Sequence, residues 1–157
     1  RRSAMLAGGG AAFAAAAVTT FALADPAAAS TMCSNGKTTT AGMEYGRTLA
    51  AAMGDPAAGQ RSVRSALHAV ADALSAHGFA AHAEQDGDQY RIVSEHCPFG
   101  DAVIEHPVIC AVDRGMVEGM LGALYGETPV ALASSKPMGD ARCITDVAEF
   151  GDAAEPG

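Results

Sequence analysis

The dipeptide Asp86-Gly87 limits what this chain can fold into more than any other feature. It stands between two short runs of strand-forming residues, 79–84 and 89–94. Glycine accepts the positive φ of a tight turn, so the two runs fold back on each other as an antiparallel hairpin. Alternation then sets Tyr90, Ile92 and Ser94 on one face, and Arg91 and Val93 on the other. A second hairpin is predicted later, with strands over 129–134 and 142–147 joined through Pro137-Met138-Gly139-Asp140. Paired side by side, the hairpins make one sheet of about four strands.

Helices surround these strands. Over 60–77, Val63, Leu67, Val70 and Leu74 recur at three- and four-residue steps, and Gly78 is placed to close the helix. Over 108–124, Val112, Met116, Met120 and Leu124 form one stripe, with Val117 and Leu121 beside it. Gly115, Gly119 and Gly122 interrupt that helix at a cost of about 1 kcal/mol each relative to alanine. In return they permit close approach of another backbone or a ligand. Shorter helices are expected over 41–53, ended by Gly54-Asp55-Pro56, and over 99–105. The order helix, hairpin, helix, hairpin predicts an α+β domain with helices packed on one face of an antiparallel sheet.

The chain has 157 residues and a formal charge of −8, with lysine at Lys37 and Lys136 alone. No basic stripe forms, so this segment is a poor partner for a phosphate backbone. Three segments are expected: an N-terminal arm and loop over 1–40, an α+β sensor or ligand-binding domain over 41–147, and an acidic tail over 148–157 without regular structure. Two readings of the arm stand side by side. Arg1-Arg2-Ser3 before an apolar run, with Ala22-Leu23-Ala24 as a cleavage site, is the pattern of a twin-arginine export signal. The same alanine-rich run also reads as a helix linking to an upstream domain, in a cytoplasmic protein. Interrupted by Gly8-Gly9-Gly10, it is weak as a membrane anchor, and no membrane partner is expected.

The chemistry that stands out is thiol chemistry. Cys97, Cys110 and Cys143 lie in the second half, while Cys33 lies in the loop expected over 30–40 and reads as a free or incidental thiol. Cys97 follows a strand, Cys110 opens a helix whose free amides favour thiolate, and Cys143 lies on the last strand. Convergence of the three would suit an iron–sulfur cluster, or a zinc ion with His96 or His106 as fourth ligand. The competing reading is three buried thiols that act as small hydrophobes. No CxxC pair, GxSxG elbow or Walker loop is present, and no acid–base pair stands out, so an enzyme is the least supported class. A second candidate site is a pocket beside Gly115, Met116, Gly119 and Met120, which would take a small molecule without metal.

Several of these motifs carry a resemblance. Cys97-Pro98-Phe99, His106-Pro107 before Cys110, Gly139-Asp140 before Cys143, and Tyr45-Gly46-Arg47 on an early helix resemble the C-terminal sensor domain of bacterial winged-helix transcriptional regulators, among them the repressors of iron–sulfur-assembly operons. The resemblance covers roughly 41–147. It implies a homodimer that holds a cluster at Cys97, Cys110 and Cys143 and reaches DNA only through a domain this chain lacks. The stretch from Cys110 to Cys143 also resembles the 4-vinyl reductase domain, which implies an apolar small-molecule ligand and no metal.

Overall fold

The computed structural model describes residues 26–33, 36–53 and 62–148. The readings of the export signal and of the acidic tail fall on residues outside these. In chain order the elements are α1 (Pro26–Cys33), α2 (Gly36–Ala52), α3 (Val63–Ala76), β1 (Ala81–Asp86), β2 (Gln89–Ser94), α4 (Ala102–Glu105), α5 (Val108–Leu124), β3 (Val130–Ser134) and β4 (Cys143–Val147). A single turn of 3-10 helix, Lys136–Met138, joins β3 to β4. The α+β architecture expected from the sequence is the one observed.

The first hairpin forms as its turn demands. Asp86 faces Gln89, and Gly87 takes φ +61°. β1 begins two residues later than the hydrophobic run suggests, because Ala80 adopts φ +46° and turns Phe79 into the core. The Ser75 hydroxyl pins this kink by accepting from the Ala81 amide at 2.9 Å and donating to the Ala81 carbonyl at 2.9 Å. α3 starts on Ser62, whose hydroxyl accepts from the Ser65 amide. It ends where the Phe79 amide reaches back to the Leu74 carbonyl at 3.1 Å.

The sheet is fully antiparallel in the order β1-β2-β4-β3. β4 therefore lies inside, against β2, and sets Cys143 opposite Ser94. Ala83, Ile92, Thr145 and Leu132 align across the strands on the face toward the helices, while Glu84, Arg91 and Asp146 align on the other face. The core lies between α3, α5 and the inner face, built from Leu67, Val70, Leu74, Ile92, Met120, Leu121, Leu124 and Val147.

α2 packs along α5 through glycines on both helices. A Cβ on Gly42 or Gly46 would overlap the carbonyl oxygens of Val112 or Met116, and one on Gly115 or Gly119 would overlap those of Thr39 or Met43. The close approach these glycines predict is thus to the backbone of α2. α1 and the first turn of α2 occupy what the sequence suggests is a loop over 30–40. The proline at Pro26 starts α1, a position where its missing amide costs nothing.

Candidate functional site

A second apolar cluster sits at the end of the sheet where α1, α4 and the start of α5 meet. Cys33, Val103 and Cys110 are its buried members, with Cys97, Ile104, Ile109 and Leu132 packed around them. All four thiols are free. Cys97, Cys110 and Cys143 line one small cavity of about 30 Å³ between α5 and the inner sheet face. Leu74, Phe79, Ile92, Val117 and Leu132 supply most of its wall, and Ser94, Asp113, Arg114 and Thr145 its polar fringe. The volume is that of about one water molecule.

Each thiol is placed by a different element. Cys97 follows β2 in the turn closed by Gly100, whose amide donates to the Cys97 carbonyl at 3.1 Å. Cys143 opens β4, on the inner face with Thr145 and Val147. Cys110 lies in the first turn of α5, after Pro107 restarts the chain. Cys33 ends α1 and donates its S–H to the Pro107 carbonyl at 3.3 Å. Cys33, expected as a free or incidental thiol in a loop, is free but lies in a helix, is 1% exposed and meets Cys110. Its burial was not legible in the sequence because its partners are 74 or more residues away along the chain.

The thiols differ in electrostatics. A sulfur–sulfur hydrogen bond with Cys110, helped by Ser135 and Arg114 against burial, lowers the pKa of Cys33. The same contact, together with burial, pushes the Cys110 thiol up. Burial also raises Cys143, partly opposed by the Lys136 backbone amide. Beside them, burial lifts the Asp113 carboxyl to about 7. Arg114 does not neutralise it. Its guanidinium instead ties α5 to α2 and β3, donating to Thr39 Oγ1 at 2.9 Å and to the Val130 carbonyl at 3.5 Å. Ser135 is fully buried beside Cys33.

The other candidates lie elsewhere. His96 is exposed and lines an outer cleft, and His106 is exposed at the end of α4. Gly115 and Gly119 face α2, and Met116 and Met120 are in the main core, so none of these four lines the thiol cavity. Sequence reasoning missed Phe79, Asp113, Arg114 and Leu132 as lining residues. Asp113 had a signal: with Arg114 it interrupts the apolar first half of α5.

No protein-family model matches the chain, and neither does any curated protein. Among solved structures it is similar to a trafficking protein particle complex subunit 3 from Naegleria fowleri, covalently bound to palmitic acid. The TM-score is 0.50 at 19% identity, covering 81% of this chain and 83% of that one. At that identity the likeness is one of fold.

These findings correct the functional expectation. The fold is shared with a trafficking-particle subunit, and neither the winged-helix regulator resemblance nor the 4-vinyl reductase resemblance stands. The motifs that suggested them are turn and helix-start signals, which a fold can reuse for unrelated roles. The metal-binding, iron–sulfur regulator reading falls with them. Among the described residues no three His, Cys, Asp or Glu side chains group so as to hold a metal ion. The thiols share a wall, and His96 and His106, both exposed, do not line that cavity. Among the described residues no helix is long and apolar enough to cross a membrane.

Proposed function

We propose that this chain is an acyl-binding module that takes a long hydrocarbon chain between α5 and the sheet, beside the thiols. One observation carries the reading: three thiols from remote parts of the sequence line one apolar cavity that extends the main core. The fold neighbour, which is bound to palmitic acid, supports it. An acyl chain is many times larger than the present cavity. Binding must therefore part the wall formed by Phe79, Val117 and Leu132, exchanging packed contacts for contacts with the ligand. Apolar area removed from water drives the exchange at about 25 cal/mol per Å².

The test is a titration of delipidated, reduced protein with palmitate, read by calorimetry, with metal and sulfide assays on the same anaerobic preparation. Saturable one-to-one binding with a negative heat-capacity change supports the reading. Absence of binding overturns it. Stoichiometric iron and sulfide, or zinc, would overturn it too, by assigning the thiols to an iron–sulfur or zinc cofactor.

Two further parts of the proposal concern setting. Free thiols suit a reducing compartment, which favours the cytoplasm; fractionation of tagged full-length protein tests this. Self-association as a homodimer is tested by light scattering across a dilution series, where a mass that stays monomeric at high concentration rejects it.

A further inference from the structure

The small thiol cavity and an outer cleft of about 130 Å³ have Ser94, Cys97 and Cys143 in common. The cleft is otherwise largely polar, with Glu95, His96 and Lys136 on its sides. A water-borne reagent therefore meets Cys97 and Cys143 before Cys110, which is 4% exposed and packed with Cys33. A bond drawn between Cys97 and Cys143 would cross the one boundary that cleft and cavity share.

The two thiols stand on different supports. Cys143 is held in β4, paired opposite Ser94. Cys97 lies past the end of β2, in the turn that the Gly100 amide closes at 3.1 Å. The residues after it overlie the cavity wall. Pro98 lies beside Gly78, and the Phe99 ring meets the Phe79 ring edge-on, with centroids 6.1 Å apart. Phe79 lines the cavity, and Phe99 is 45% exposed, so little burial holds this turn down when the wall has to part. A covalent tie to β4 would hold it down instead.

The charges fit such a pair. Burial raises the Cys143 thiol, the Lys136 backbone amide opposes that, and a charge on Cys97 raises it again. Asp101, at 2.8 Å, and then both sulfurs favour the charged form of the Lys136 ammonium in the cleft.

We propose that Cys97 and Cys143 form an oxidation site for a hydroperoxide, and that their disulfide closes the passage from cleft to cavity. This rests on the acyl-binding reading and gives that site a redox gate. The Cys97 thiolate attacks one peroxide oxygen, the O–O bond breaks, and the leaving oxygen takes up a proton. Cys97 is then a sulfenic acid. The Cys143 sulfur attacks the Cys97 sulfur, the S–O bond breaks, and the hydroxyl leaves as water with the proton from Cys143. Two thiols lose two electrons in all, and the peroxide is reduced to its alcohol, or to water, with a second water from the sulfenic oxygen. A reducing thiol reopens the pair by exchange.

The experiment treats the reduced full chain with hydrogen peroxide and reads intact mass, a peptide map without reductant, and palmitate affinity. The expected product has lost two hydrogens and carries a Cys97–Cys143 link. Palmitate should bind it about tenfold more weakly, because the open fraction has fallen by that factor, and dithiothreitol should restore the affinity. Amide exchange over 96–100 should slow in the oxidised form, which reads the closure without any ligand. In Cys143→Ser, dimedone should trap a sulfenic acid on Cys97, and peroxide should leave palmitate binding unchanged. That variant's binding of palmitate also shows that it is folded. A link from Cys33 to Cys110, a link between two copies of the chain, or four thiols that survive peroxide overturns the proposal. So does a Cys97–Cys143 link that leaves both amide exchange and palmitate affinity as they were. If the reduced chain binds no palmitate, the acyl-binding reading has failed, and the mass and exchange results still decide the oxidation site and its closure.

Discussion

Asp113 is a carboxyl that the fold holds against its ordinary chemistry. Burial lifts its pKa from 3.8 in the unfolded chain to about 7, so the folded state keeps the proton over a window in which the unfolded state has lost it. Stability from this group is therefore greatest below about pH 4 and declines as pH rises to about 7. Asp113→Asn removes the titration. Its urea midpoint should exceed that of the parent at pH 8, and the gap should close toward pH 4; an equal gap at both values would show that the carboxyl is not buried as described. The thiols give a second test at this scale. Iodoacetamide should label Cys97 first and reach Cys33 and Cys110 only on unfolding, because these two are 1% and 4% exposed. Labelling of Cys33 as fast as Cys97 would contradict the packing of α1. The sequence made Cys97, Cys110 and Cys143 legible as a group, since each follows a strand end, a helix start or a turn that fixes its place. It could not tell a shared wall from a shared ion, which depends on ångström distances set by β4 entering beside β2.

At the scale of elements, the joint between α2 and α5 is the least forgiving part of the fold. Gly46→Ala or Gly119→Ala sets a methyl against a main-chain carbonyl that cannot move without shifting a helix. Thermal melts should show a loss of about 3 kcal/mol, the upper part of the range for overpacking. Gly122, one turn on, has no atom near its added Cβ. There Gly122→Ala should stabilise by about 0.5–1 kcal/mol through helix propensity alone. Equal effects at Gly119 and Gly122 would mean that the helices are not in contact. The bounds of α5 were readable from its hydrophobic stripe, and its glycines announced a close neighbour. Which neighbour was not readable, because the matching glycines, Gly42 and Gly46, lie in a helix whose hydrophobic periodicity is weak. α1 was missed because the turn-forming residues around Ser34-Asn35-Gly36 outweighed the helix-start signal of Pro26.

Across the whole molecule, the hairpins and their joining into one sheet follow from local turn chemistry and alternation, which is why the α+β class was accessible from residues alone. Function was not accessible in that way. A regulator domain and a trafficking-particle subunit can answer to the same order of helices and hairpins, so short motifs at turns do not choose between them. What decides is the occupant of the space between α5 and the sheet. The most direct measurement is photocrosslinking with a palmitate analogue that carries a diazirine near its methyl end, mapped by peptide sequencing. The account predicts crosslinks at cavity-wall residues such as Ile92, Val117 and Leu132, competed away by unlabelled palmitate. Crosslinks confined to exposed apolar side chains such as Met32 and Tyr45, or not competed by palmitate, would contradict it.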